Sequence, residues 1–156
     1  MGKKHTFQRF SDEQQKQYER EARLQWGPET VNASIRRWES YSEIQREAIQ
    51  EEGGQIYQKL AQALADGQPA HSPDVQKLLM RWQHHLRYFY EPTLDILRGL
   101  GEAYNSHPDF ITFFQALHPD LPGYLQAAIT RYVDDLEYAE IERLLAEDEA
   151  RNRRLG

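Results

Sequence analysis

The stretch WQHHLRYFYEPTLDILRGLGEAYNSHPDFITFFQALHPDLPGYLQAAITRY, residues 82–132, decides how this chain folds. Its apolar residues recur at intervals of three and four rather than two, and no alternating β-branched run interrupts them, so it reads as a succession of helices. Pro92 disfavours helical geometry at Glu91. A corner therefore falls directly after three consecutive aromatics, Tyr88, Phe89 and Tyr90. The helix before it is expected to run to about Tyr90 and the one after it from Thr93 to Tyr104. Pro108-Asp109 starts a short helix through Phe110, Phe113 and Phe114, and the segment His118 to Gly123, with Pro119 and Pro122, is the next break.

Toward the N-terminus the same logic continues. Ser72-Pro73 is a strong helix start, with serine as cap, proline at the first helical position and Asp74 on the positive end of the dipole. Ser42 with Gln45 forms a capping-box pattern opening a long helix whose apolar stripe is Ile49, Ile56, Leu60 and Leu64, closed by Asp66-Gly67. Gly53-Gly54 lies inside it, where close packing against a neighbouring helix is preferred over a hinge. A short helix ending near Trp38 precedes it, and a further helix from the Ser11 and Gln14 cap pattern runs to about Trp26, before Gly27-Pro28. Toward the C-terminus, a helix beginning near Pro122 carries the stripe Leu121, Leu125, Ile129, Tyr132 and Leu136. Beyond Leu136 the bulky residues Tyr138, Ile141 and Leu145 fall, at about 100° per residue, on the opposite side, so this helix is expected to break or to meet a second partner.

Composition bounds what such an array can do. The 156 residues suit one domain with one core, and the formal net charge of -6 works against nucleic-acid binding. The basic residues Lys3, Lys4, Arg9, Arg151, Arg153 and Arg154 read as solvated ends. No cysteine is present, which excludes disulfides, thiolate nucleophiles and thiolate metal sites. No apolar run approaches the roughly 18 residues of a membrane span, and the N-terminus lacks a signal pattern, so a cytoplasmic protein is expected. His84-His85 with Glu91 is a weak metal pattern, because neighbouring helical residues point about 100° apart. Gly99-Leu100-Gly101 is no phosphate loop, and Asp134-Asp135 reads as a solvated helix surface. Neither catalytic residues, nor a cofactor, nor a metal site is indicated, and an enzyme is the least supported class.

Aromatic residues make up 12% of the chain, and nine are tyrosines whose hydroxyls would be hard to satisfy in one small core. Most of the rings must be core; some tyrosine hydroxyls are expected to face water or a ligand. Trp82 and Phe89, seven apart with Leu86 between them, share a helix face, and Trp26, Trp38 and Tyr41 add rings from the N-terminal part.

The ordered motifs YEREARLQWG (18–27), SYS (40–42), ALADGQPAHSP (63–73), FYEPTLDILRGLGEAYNSHPDF (89–110) and PGYLQAAITRY (122–132) resemble the TipA-type antibiotic-recognition domain, the effector-binding part of certain MerR-family transcription regulators. The resemblance implies an all-α, globin-like array with a cleft that receives thiopeptides or other bulky aromatic or peptide-like compounds, and a domain that senses or sequesters a drug rather than transforming it. It places the cleft at Tyr88 to Glu91, with Leu100 to Tyr104 lining or supporting it. The family prototype carries a cysteine near the corner that thiopeptides can attack; this chain has none, so covalent capture is excluded. The winged helix and coiled-coil linker of complete regulators have no counterpart here, and no direct DNA binding is expected.

The expected organisation is an antibiotic-recognition domain over residues 1–135 with a charged helical C-terminal extension over 136–156. The candidate ligand-binding residues are Trp82, His85, Tyr88, Phe89, Tyr90, Glu91, Tyr104, Phe110, Phe114 and Tyr124, with tyrosine hydroxyls, His85 and Glu91 setting ligand orientation. The polar N-terminal forty residues are expected to close over the ligand. The alternative is a helical protein-interaction module that uses exposed aromatics or the C-terminal stripe, including a homodimer through the last helix.

Overall fold

A computed structural model describes residues 27–155, and the expected first helix, the N-terminal basic residues and Trp26 lie outside these. Six helices and no strand occur among the described residues: α1 (Pro28–Glu39), α2 (Glu43–Ala65), α3 (Pro73–Leu86), α4 (Leu94–Tyr104), α5 (Pro108–Gln115) and α6 (Leu121–Leu155).

The starts are set by local chemistry. Gly27, at φ 94°, adopts a backbone open chiefly to glycine, and Pro28 then occupies the first turn of α1, where its missing N–H costs nothing. The Ser42 and Gln45 side chains form the reciprocal capping box of α2. The Ser72 hydroxyl accepts from the Val75 N–H, the Thr93 hydroxyl from the Ile96 N–H, and the His107 ring nitrogen Nδ1 from the Asp109 N–H. Each satisfies a donor that the first helical turn leaves without a partner.

One end differs from expectation. α3 stops at Leu86, not near Tyr90, and residues 87–89 form a turn in which the N–H groups of Arg87, Tyr88 and Phe89 donate three residues back. Proline acts on the turn before it: it removes the N–H that would bond the carbonyl four residues earlier and crowds that carbonyl. For Pro92 that carbonyl belongs to Tyr88, so the helix ends ahead of it.

α6 is the organising element, packing against α2, α3, α4 and α5, most extensively against α4. Leu121, Leu125, Ala128, Ile129 and Val133 of α6 are almost wholly buried, against Val75, Leu79 and Trp82 of α3 and Leu97 and Leu100 of α4 within one core. The helix does not break at Leu136. It continues through Leu155, a length of about 52 Å at 1.5 Å per residue, and Tyr138, Ile141, Leu144 and Leu145 stand exposed on its distal half.

Gly53 and Gly101 are close approaches between helices. A Cβ on Gly101 would lie 3.0 Å from Cγ2 and 3.2 Å from Cβ of Ile129, so an added methyl would force Ile129 of α6 to give by a few tenths of an ångström. Replacing Gly101 with alanine should therefore lower stability by about 1–2 kcal/mol, overpacking outweighing the helix-propensity gain. Gly123, where a Cβ meets nothing closer than 4.0 Å, makes the control. There alanine should raise stability by roughly 0.5 kcal/mol. Urea unfolding of the two variants tests the pair, and a stabilised Gly101→Ala would contradict the packing described.

Candidate ligand site

The rings expected to line one cleft divide into two groups. Tyr104, Phe110 and Phe114 are mutually packed, with ring centroids 4.9 Å apart for Tyr104 and Phe114 and 5.1 Å for Tyr104 and Phe110. Trp82 meets Tyr104 edge-on at 6.3 Å, and Tyr57 of α2 meets Phe114 at 5.0 Å. Trp82 is 1% exposed, Tyr104 4%, Phe110 9% and Phe114 1%. These four candidates thus lie in the core rather than on a face open to a ligand, because α2 and α6 cover them. Tyr57 was missed in sequence; its only signal was its place beside the α2 stripe, next to Ile56.

The Tyr57 and Tyr104 hydroxyls lie 3.2 Å apart and satisfy one another. Burial pushes the Tyr104 hydroxyl well above the ordinary phenol range, Tyr57 adds to the effect, and the nearby Trp82 indole opposes it. The Trp82 N–H nevertheless makes no hydrogen bond of normal geometry, and it is the one buried side-chain donor without a partner among the described residues.

The second group surrounds the proline corner. Phe89 stacks on Trp38 of α1 with centroids 5.4 Å apart, and Tyr88 meets Tyr41 edge-on at 6.3 Å. His85 presents its ring to Tyr88 and Phe89 at 5.7 and 5.8 Å. Trp38, Tyr41 and Phe89 are half-buried and Tyr88 is 40% exposed. Because α3 ends at Leu86, Phe89 leaves the face it would have shared with Trp82 and turns toward α1.

Backbone chemistry explains why α1 docks here. With α3 ended, the carbonyls of Arg87 and Tyr88 lack their helical donors. Arg37 donates to the first at 2.9 Å and the Tyr41 hydroxyl to the second at 2.6 Å. The Arg46 guanidinium in turn donates to the carbonyls of Trp38 and Glu39 at the end of α1 and sits 5.9 Å from the Trp38 ring centre. Arginines 37, 46 and 87 thus give the corner a local positive character within an acidic chain.

His85 is 8% exposed and its Nε2 donates to the Ile49 carbonyl at 2.7 Å. A helical carbonyl points toward the residue four positions on, here Gly53, and a Cβ at Gly53 would come within 2.9 Å of the His85 ring. His85 therefore fixes the end of α3 against α2 and supports the aromatic group from below. Tyr90 packs partly buried against the core. Glu91 is exposed and pairs with Arg87 at 3.4 Å. Tyr124 lies elsewhere: its hydroxyl donates to the Gln68 carbonyl before α3, roughly 20 Å from the corner given the 14-residue length of α3. Among the described residues no three His, Cys, Asp or Glu side chains group as a metal site, and no helix is long and apolar enough to cross a membrane.

The chain is similar to known proteins in sequence and in fold. The sequence model of the TipAS antibiotic-recognition domain matches residues 18–132. The HTH-type transcriptional activator mta of Bacillus subtilis is 31% identical over 130 residues, covering 81% of this chain and 49% of that protein. The HTH-type transcriptional regulator SkgA of Caulobacter vibrioides is 31% identical over 140 residues, covering 85% of this chain and 54% of its own length. The chain thus spans about half the length of these curated relatives. TipAS of Streptomyces lividans, solved in complex with nosiheptide, superposes with a TM-score of 0.69 at 24% identity, covering 85% of this chain and 91% of that one.

Two measurements test the two aromatic groups. Because burial raises the folded-state value of Tyr104, its contribution to stability is fully present below the unfolded value near pH 10 and is lost as pH rises beyond it. In Tyr104→Phe, denaturant midpoints measured from pH 8 to 11.5 should fall less steeply above about pH 10 than in the parent. Gly53→Ala should cost about 1–2 kcal/mol through the displaced His85 hydrogen bond. It should also increase acrylamide quenching of tryptophan by loosening the Trp38 stack; an unchanged quenching constant would sever His85 from the corner.

Proposed function

The chain belongs to the TipAS antibiotic-recognition domain family, and from that membership we propose that it binds a bulky aromatic or peptide-like compound noncovalently at the proline corner. The domain senses or sequesters the compound and does not transform it. The observation that carries the reading is the partly exposed aromatic group of Trp38, Tyr41, Tyr88 and Phe89 beside α1, in contrast to the closed inner group. Flat rings offer stacking area for heteroaromatic ligands at little entropic cost, and the arginines framing them suit carbonyl-rich ones. A related structure holds the thiopeptide nosiheptide, which makes thiopeptides the first compounds to try. Without a cysteine the chain has no thiolate for a ligand to modify.

In this reading the described segment makes no contact with DNA, needs no cofactor, and works in the cytoplasm, in keeping with its transcription-regulator relatives. α1 closes over the ligand. A second reading, a helical protein-interaction module, is favoured by the exposed stripe on the distal half of α6.

Tryptophan fluorescence and thermal shift on titration with nosiheptide and a panel of aromatic polyamides test the first reading. A saturable quench with a raised melting temperature is expected. Trp38→Ala and Phe89→Ala should each weaken binding about tenfold or more, whereas Tyr124→Phe should leave it unchanged. Hydrogen exchange of residues 28–39 should slow on binding. A flat response across the whole panel would sink the proposal.

A further inference from the structure

The contacts between α1, its following turn and the proline corner fall on consecutive residues. An Arg37 Nη donates to the Arg87 carbonyl at 2.9 Å, and the Tyr41 hydroxyl donates to the Tyr88 carbonyl at 2.6 Å. The ring of Tyr88 meets Tyr41 edge-on, and the ring of Phe89 stacks on Trp38 with the two planes inclined by 30°. Arg37, Trp38 and Tyr41 together therefore read a short peptide pattern: two successive carbonyls, each followed by an aromatic ring.

These bonds can be exchanged for others. Both lie at an exposed edge, where water can take a helix-end carbonyl that its donor leaves. The Arg37 guanidinium is a planar fork with donors to spare, and no carboxylate pairs with it among the described residues. A flat compound entering between Trp38 and Phe89 would part the stack and lie beside both donors. We propose that Arg37 and Tyr41 are the specificity-determining residues of the corner, passing on binding from the Arg87 and Tyr88 carbonyls to two carbonyl oxygens of the ligand. The site then selects compounds in which amide carbonyls alternate with aromatic rings, and in the free chain residues 87–89 stand in for such a compound. This inference rests on drug binding at the corner and adds which groups read the drug. A ligand with rings but no acceptors gains the stacking and leaves both donors without the bonds it displaced, which costs it affinity.

The probes are a para-linked oligobenzamide with two amide links and its counterpart in which each amide is a trans-alkene, both carrying the same solubilising end groups. The alkene keeps the planar shape and removes the acceptors. Calorimetric titration of the full chain gives the affinity of each compound, and their ratio is compared between parent and variants. Arg37→Leu should lower the benzamide-to-alkene ratio about tenfold or more and Tyr41→Phe about threefold or more, a bond to a charged donor counting for more than one to a hydroxyl. Arg36→Leu removes the neighbouring exposed charge on the same helix and should leave the ratio as in the parent. Each ratio is taken within one variant, so a change in how firmly α1 is held cancels. Residues that merely fasten α1 would shift both affinities together; a ratio unchanged in Arg37→Leu or in Tyr41→Phe, or an equal fall in Arg36→Leu, overturns the proposal. Nosiheptide separates the two levels. A chain that binds nosiheptide but not the benzamide refutes the donor assignment alone, whereas a chain that binds neither refutes drug binding at the corner as well.

Discussion

Pro92 has no N–H to give to the Tyr88 carbonyl, and the arrangement of the described structure around its aromatic corner follows from that one missing donor. The helix that would have carried Tyr88, Phe89 and Tyr90 in line with Trp82 ends at Leu86 instead. Its last carbonyls are left open, and a buried or half-buried carbonyl without a partner is costly. The donors come from an element far away in sequence, Arg37 and Tyr41, fifty and forty-seven residues before their acceptors. The proline thus does more than turn the chain: it creates the acceptors that position α1, and α1 brings Trp38 onto Phe89.

Below the corner the packing is of a different kind. Gly53 under the His85 ring and Gly101 against Ile129 set helix separations that a single methyl would disturb. Around them Leu60, Val75, Leu79, Leu97, Leu121 and Val133 are fully covered. Arg98, placed one turn beyond Leu94, adds ion pairs from α4 to Asp134 and Glu137 of α6 at 3.0 Å each. These are partly exposed and count for little in stability. They do mark where α6 leaves the bundle: past Glu137 nothing in the described structure covers it.

Sequence read the elements well where the signal was local. The Ser42 with Gln45 box, Ser72-Pro73 and Pro108-Asp109 each specify their own turn, so those helix starts fall where expected. The end of α3 was less legible because proline acts backward over a full turn, and counting it as a break at its own position placed the end four residues late. That displacement carried into the site. Trp82 and Phe89 share a face only if the helix continues between them; once it stops, one ring belongs to the core and the other to the corner. The glycines could be read as close approaches, but the ring each accommodates, His85 for Gly53, depends on helix placement that no local pattern encodes. Likewise the displaced stripe of α6 was visible as a phase change, while its exposure depends on where the bundle ends.

The contrast between the two kinds of packing has an energetic consequence for the corner. Between α1 with its following turn and the corner run two side-chain bonds to carbonyls, one stacked and one edge-on ring pair, and Arg46 of α2 ties the end of α1 by two more such bonds and a cation near a ring. Each such contact nets on the order of 1 kcal/mol. The total of a few kcal/mol is far below what holds α3, α4 and α6 together, whose buried side chains contribute about 1.5–3 kcal/mol each. Local opening free energies in a protein span this range, with ligand-binding elements at its low end. The seam between α1 and the corner is therefore the least costly place in the described structure to part. A compound that stacks on Phe89 and accepts from Arg37 would restore the contacts it interrupts, so a site built on carbonyls freed by a proline can admit a ligand without disturbing the core beneath it.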